Sequence, residues 1–256
     1  MYRSKIKGIA HYVPEKKVSN NDLTAYMDTS DEWIQERTGI KERRYAEKFK
    51  ETTATMGAIA SQRALSMAGV DKEEVDFIIF CTLSPDYYFP GSGVLMQREM
   101  GITKSEIGAL DIRNQCSGFV YGLSVADQFI KSGMYKNILL VGSEMHSMGL
   151  DYSTRGRNVT VLFGDGAGAV LLGRAEEDEK SEVLSTDLHS DGTHAEKLSF
   201  INPGSHGGYH FKKMNEERDF GFSDSPTETI FMNNQMVNSA QIYPEMDGPF
   251  VFKMAI

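Results

Sequence analysis

The chain has 256 residues, 40% of them apolar, which suffices for one large α/β unit or two small ones around a real core. Its formal charge of −9 argues against a general nucleic-acid or anionic-membrane binder, because both need a basic footprint. Only two cysteines occur, Cys81 and Cys116, and residues 1–15 hold no apolar signal-peptide core, so a reducing, cytoplasmic setting is expected. No apolar run approaches the ~20 residues that a membrane-spanning helix needs.

In chain order, residues 5–12 alternate as an edge or buried strand closed by Pro14, and Ser19, Asn20, Asn21 and Asp22 supply caps for a short helix. Ser30 can cap a second helix with acids in its first turn, and Gly39 ends it. That helix carries Trp33, the single tryptophan, and Arg37 four residues on, hence on the same face. The pair could stack on a flat ligand such as a nucleobase and pair its phosphates; the commoner role is a packing anchor beside a solvated arginine. Thr52 or Thr53 starts a longer helix stopped by Gly69. Residues 75–82 read as a central strand covered on both faces, since Phe77, Ile78, Ile79, Phe80 and Cys81 run without alternation, so Cys81 is expected in the core. A loop rich in Tyr and Phe occupies 84–90, then a helix about 92–100.

The stretch 107–142 organises the rest. Ile107, Ala109, Leu110 and Ile112 form a strand, and Arg113, Asn114 and Gln115 interrupt it before Cys116. From there Phe119, Val120, Leu123, Ala126, Phe129 and Ile130 recur at helical spacing as far as Gly133, and residues 138–141 read as the next strand. A thiol at the first turn of a helix meets unpaired N–H groups and the positive end of the helix dipole, which favour thiolate over thiol. Cys116 is therefore a candidate nucleophile, with a buried, inert thiol as the alternative. Alternating helices and apolar strands imply a parallel or mixed sheet with helices on its faces.

Beyond this unit, residues 159–163 read as a strand and 164–169 as a glycine-rich hairpin turn. The turn matches a dinucleotide-binding fingerprint, yet Ala169-Val170-Leu171-Leu172 reads as a strand and not as the helix that fingerprint must open. Residues 174–180 form a charged linker and 182–189 a further strand. His189, His194, His206 and His210 are scattered through a polar stretch without i, i+4 spacing to a third ligand, so no metal site is expected. Pro249, Phe250 and Met254 read as a helix beginning in which the chain stops, which suggests a fragment.

Three segments together carry a resemblance: Asp28-Thr29-Ser30-Asp31-Glu32-Trp33-Ile34 with Arg37-Thr38-Gly39-Ile40, then Gln115-Cys116-Ser117-Gly118-Phe119, then Phe163-Gly164-Asp165-Gly166-Ala167-Gly168-Ala169. Val251-Phe252-Lys253 adds a weaker match. In this order and spacing the chain resembles β-ketoacyl-acyl carrier protein synthase III, a thiolase-fold condensing enzyme. The resemblance implies an α/β, thiolase-like, layered fold of two similar βαβαβ halves. Residues 1–174 would form the N-terminal half with the nucleophile, and 175–256 the beginning of a second, incomplete half. It implies a homodimer without cofactor or metal, acting on acyl-CoA and malonyl-acyl carrier protein. Cys116 matches the nucleophile. Trp33 and Arg37 match residues holding the adenine end of CoA; Arg155 or Arg157 is similar to a further arginine there, the spacing to Phe163 favouring Arg157. Phe89 matches a residue that closes the acyl pocket of the neighbouring subunit.

The chain departs from the family pattern where a His-Gln-Ala-Asn stretch, a later Asn and a glycine-rich oxyanion segment would serve decarboxylation; none is present. Asn114 and Gln115 replace the small alanines of many members, which leaves the acyl group open. Two other readings stand beside the first: a related condensing or acyl-transfer enzyme of secondary metabolism, and a non-catalytic dimerisation partner or inactive fragment, which the reactivity of Cys116 would separate.

Overall fold

The computed structural model describes residues 1–194. Two compact units are present, the first comprising Met1–Lys16, Arg44–Met145 and Gly164–His189, the second including Lys17–Arg43 and His146–Phe163. The elements are, in chain order, β1 (Ser4–Tyr12), β2 (Lys17–Ser19), α1 (Asn20–Leu23), α2 (Asp31–Thr38), β3 (Glu42–Arg44), α3 (Thr53–Ala68), β4 (Phe77–Cys81), α4 (Ser92–Glu99), β5 (Gly108–Ile112), α5 (Gly118–Lys131), β6 (Asn137–Met145), α6 (Arg157–Thr160) and β7 (Asp165–Arg174).

The first unit is built on a five-stranded mixed sheet of order β1-β7-β6-β4-β5. β4 runs parallel to both β5 and β6, whereas β7 is antiparallel to β1 and β6. Because strand side chains alternate between faces, each interior strand feeds two cores. Ile78, Phe80, Leu139, Val141, Ala169 and Leu171 pack with Met56, Ala60 and Ala64 of α3 and with Met96 of α4. Ile79, Cys81, Ile138, Leu140, Val170 and Leu172 pack with Ala126 and Ile130 of α5. This double coverage is why residues 77–81 carry no polar alternation.

The helix boundaries obey the local chemistry read from the sequence. Ser30 accepts from the Trp33 N–H at the start of α2, and Gly39 ends that helix at φ 71°. Thr52 caps α3 reciprocally with Thr55, and Gly69 closes it at φ 63°. Gly8 marks an irregularity in the β1–β7 register, and a Cβ there would lie 2.2 Å from the Ala64 carbonyl oxygen, so β1 and α3 approach this closely only over glycine.

Three expectations are corrected. Residues 159–163 are not a strand: Arg157–Thr160 form the short helix α6, tied down by a 2.6 Å hydrogen bond from Thr160 Oγ1 to the Asp151 carbonyl. Valine-rich composition favoured a strand, and this local packing overrides it. The glycine-rich segment is no turn, because Asp165, Gly166 and Gly168 belong to β7, all paired with β6 and Gly168 with β1 as well, and neither glycine has positive φ. Residues 182–189 form no strand, although the Val183 N–H bonds the Ser4 carbonyl at 2.9 Å. His206, His210, the helix expected from Pro249 and most of the proposed second half lie outside the described residues.

Candidate functional site

In the first unit, Cys81 at the end of β4 sits opposite Ile112 at the end of β5, and the chain reaches Cys116 four residues later. Cys116 lies in a one-turn 3-10 helix, Gln115–Ser117, that runs directly into α5, and it is exposed. The sequence reading placed it in the first turn of the helix; it stands just ahead of that turn, at the end of α5 that favours negative charge. Glycines press α5 onto the sheet. A Cβ on Gly122 would lie 2.6 Å from Leu140 Cδ1 and 2.9 Å from Cys81 Sγ. This contact holds the start of α5, and with it Cys116, at the carboxyl ends of two parallel strands, where open α/β sheets place ligands. The turn is tied internally by a 3.2 Å hydrogen bond from Ser117 Oγ to the Asn114 carbonyl.

The second thiol is in a different state. Cys81 is buried and donates from Sγ to the Gly118 carbonyl at 3.3 Å. Burial first, then the negative charges of Asp111 and Glu144, push it up to about 12. The inert condition weighed for Cys116 thus describes Cys81.

Phe89 lies on the loop between β4 and α4, 78% exposed, beside the exposed Tyr87 and Tyr88. Three carboxylates absent from the sequence reading fix the ends of this loop. Glu144, on β6, accepts from the Leu83 N–H at 2.8 Å, the Ser84 N–H at 3.1 Å and Ser84 Oγ at 2.5 Å. Asp86 accepts from the Ala54 N–H at the start of α3 (3.0 Å) and from Ser92 Oγ (2.9 Å). Asp111 accepts from the Ser92 and Gly93 N–H groups at the start of α4, at 2.6 and 2.9 Å. Burial raises the Asp111 carboxyl above the ordinary aspartate value and the charge of Asp86 adds to this, against the lowering by its two N–H donors. Asp111 had a sequence signal, a charge within the apolar run of β5; Glu144 and Asp86 had none.

In the second unit, Trp33, Arg37 and Arg157 come together. The guanidinium carbons of Arg37 and Arg157 each stand 4.4 Å from the Trp33 ring centroid, a cation–π arrangement from two sides of the sequence. Arg157 also donates to the Asp28 carbonyl at 2.7 Å, and Asp28 N–H donates to Thr154 Oγ1 at 2.9 Å. Arg155 is placed differently, with its Nε 2.7 Å from the Asp151 carboxylate. An indole bordered by two cations suits a flat, anionic ligand. Among the described residues no cluster of His, Cys, Asp and Glu could hold a metal ion, and no helix is long and apolar enough to cross a membrane.

Residues 110–192 match the family model for 3-oxoacyl-[acyl-carrier-protein] synthase III. The chain is 49% identical over 193 residues to β-ketoacyl-[acyl-carrier-protein] synthase III of Ehrlichia canis, an alignment covering 75% of this chain and 59% of that protein. It is 46% identical over 200 residues to the enzyme of the same name from Yersinia pseudotuberculosis, covering 78% and 61%. The crystal structure of 3-oxoacyl-[acyl-carrier-protein] synthase III from Aquifex aeolicus superposes with a TM-score of 0.73 at 43% identity, covering 78% of this chain and 62% of that one. The chain thus spans about six tenths of the length of these relatives. The thiolase-like α/β sheet and this level of identity show that the chain is similar, over about six tenths of their length, to members of the β-ketoacyl-acyl carrier protein synthase III family.

Proposed function

We propose that the protein is an acyltransferase that starts fatty-acid chains, with Cys116 as its nucleophile. The Cys116 thiolate attacks the carbonyl of an acyl-CoA, the bond from that carbonyl to the CoA sulfur breaks, and CoA leaves as a thiolate that takes up a proton. Malonyl-acyl carrier protein then loses CO₂; the carbanion attacks the enzyme thioester and expels the Cys116 thiolate, giving a β-ketoacyl product. No metal or redox cofactor enters this scheme. The observation that carries it is an exposed cysteine just ahead of α5, beyond the carboxyl ends of β4 and β5, in a chain 49% identical over 193 residues to a β-ketoacyl-[acyl-carrier-protein] synthase III.

The same reading assigns the remaining roles. Trp33, Arg37 and Arg157 hold the adenine and phosphate end of CoA: a purine stacking on the indole exchanges a cation–π contact, about 0.5–1 kcal/mol at an exposed site, for ring stacking plus phosphate pairing. Arg155 stands outside this cluster, on Asp151. Phe89, on its clamped loop, closes the acyl pocket of a second copy in a cytoplasmic homodimer. Residues 1–174 form the N-terminal thiolase-like half and 175–256 begin the second.

Decarboxylation builds negative charge on a thioester oxygen, and losing one preorganised donor to such an oxygen typically costs about 10²–10³ in rate. The 256 residues contain no His-Gln-Ala-Asn stretch, so the chain alone is expected to acylate without condensing. Measuring CoA release, CO₂ and β-ketoacyl product from acetyl-CoA and malonyl-acyl carrier protein tests both steps. CoA release near one equivalent with no sustained CO₂ fits the proposal, whereas failure to release CoA removes the acyl-transfer role.

A further inference from the structure

Three residues ahead of Cys116 the chain places an arginine whose charge the fold leaves uncommitted. Arg113 is exposed, and its guanidinium carbon stands 5.8 Å from the ring centroid of Tyr88, on the same loop as Phe89. Among the described residues this is its one polar or cation–π contact; no carboxylate or carbonyl pairs with it. The nearby carboxylates are occupied. Asp111, two positions earlier on β5, accepts from the Ser92 and Gly93 N–H groups. Asp86, on the loop itself, accepts from the Ala54 N–H and Ser92 Oγ. Both anchor helix starts, and Glu144 fixes the other end of the loop through Leu83 and Ser84. The aromatic ring beneath the guanidinium is therefore carried on a fixed support. An arginine in this state is a receptor for a planar anion: its fork of donors matches a carboxylate, and stacking on an aromatic ring leaves those donors free at the ring's edge.

Resting on the acyl-transfer reading above, we infer that Arg113 is a specificity-determining residue that selects an acyl donor ending in a second carboxylate, a short dicarboxylic acyl-CoA, over a plain alkyl acyl-CoA. Arg113 is joined to the nucleophile's turn by sequence, three residues before Cys116, and to the aromatic loop by its contact with Tyr88. It meets the far end of an acyl group whose thioester carbonyl is at Cys116. The transfer itself is unchanged: the thioester bond to Cys116 forms as the bond to the CoA sulfur breaks, and the distal carboxylate takes no part in the chemistry.

The test uses the full chain with butyryl-CoA and succinyl-CoA, without malonyl-acyl carrier protein, so that the only acyl-group carboxylate supplied is that of the donor. Initial rates of Cys116 thioester formation are read by mass spectrometry, and the ratio of the succinyl to the butyryl rate is compared between wild type, Arg113→Gln and Arg113→Lys. A ratio cancels general losses of fold or of nucleophile. The inference expects a wild-type ratio above one that falls roughly 10-fold or more in Arg113→Gln, the scale of a charge-assisted pair, and is partly kept in Arg113→Lys. A ratio below one in wild type, or one unmoved by Arg113→Gln, overturns the inference and leaves acyl transfer standing. Absence of any thioester on Cys116 from either donor overturns acyl transfer, and the inference with it.

Discussion

Replacing Gly122 by alanine tests how the fold positions Cys116, the proposed nucleophile. An alanine in a helix interior is normally better than glycine by about 0.8–1 kcal/mol. Here the added methyl would lie 2.6 Å from Leu140 Cδ1, 2.9 Å from Cys81 Sγ and 3.3 Å from Ile79 Cγ2. Leu140 and Ile79 are fully buried and Cys81 nearly so, so none can swing aside into solvent. Forcing a methyl group into such a core costs about 1–3 kcal/mol, which outweighs the propensity gain. The net expectation is a loss of roughly 0–2 kcal/mol by urea unfolding, with α5 displaced from β4 and β6. Because α5 begins two residues after Cys116, the same variant is expected to change the alkylation rate of Cys116 in native conditions. Gly57→Ala supplies a parallel case on the opposite face, where the methyl would meet the ring of the buried Phe80 at 2.9 Å. A Gly122→Ala protein more stable than wild type by the full helical gain, with unchanged Cys116 reactivity, would refute the claim that this close contact seats the helix.

Further outcomes are expected. A brief pulse of iodoacetamide at pH 8 modifies Cys116 and leaves Cys81 untouched, since a thiol pushed up to about 12 is only about one part in 10⁴ thiolate at that pH, and Cys81 is buried besides; comparable modification of both in folded protein would contradict the site. Trp33→Ala and Arg37→Ala each weaken CoA binding by ~1–3 kcal/mol in calorimetry, and unchanged affinity in both returns the cluster to a packing role. Tyr12 donates to Glu51, and that bond, with burial and the charge of Glu51, raises its phenol to about 12. Its folded value exceeds the unfolded value near 10, so its contribution is fully present below pH 10 and is lost as pH rises through about 12. Wild type should accordingly lose stability relative to Tyr12→Phe between pH 9 and pH 11.5, and parallel pH profiles would contradict this.

Much of the fold was legible because it rests on local chemistry. Ser30 and Thr52 as caps, Gly39, Gly69 and Gly133 as left-handed stops, and the unbroken apolar run ending at Cys81 each dictate one conformation by themselves. The failures lie where tertiary context decides. Gly166 and Gly168 read as a turn because glycine permits one, yet both are extended inside β7. Residues 159–163 carry strand-favouring valines, but Val159 and Thr160 end the short helix α6, where Thr160 bonds the Asp151 carbonyl. For the site, Cys116, Trp33 and Arg37 announced themselves by spacing and resemblance. The spacing to Phe163 favoured Arg157 over Arg155, and it is Arg157 that stands on the indole, whereas the bonds from distant N–H groups to Asp86, Asp111 and Glu144 span 18 to 61 residues, beyond any local pattern.

The claim on which the account depends is that Cys116 accepts an acyl group from CoA. Incubating the purified chain with acetyl-CoA, quenching in acid and mapping the peptides by mass spectrometry measures this without reference to any later step. The account predicts a hydroxylamine-labile acetyl group on Cys116, none on Cys81, and its loss in Cys116→Ser. An unmodified Cys116 in folded protein at saturating acetyl-CoA, or equal acetylation of the Cys116→Ser variant elsewhere, would contradict it.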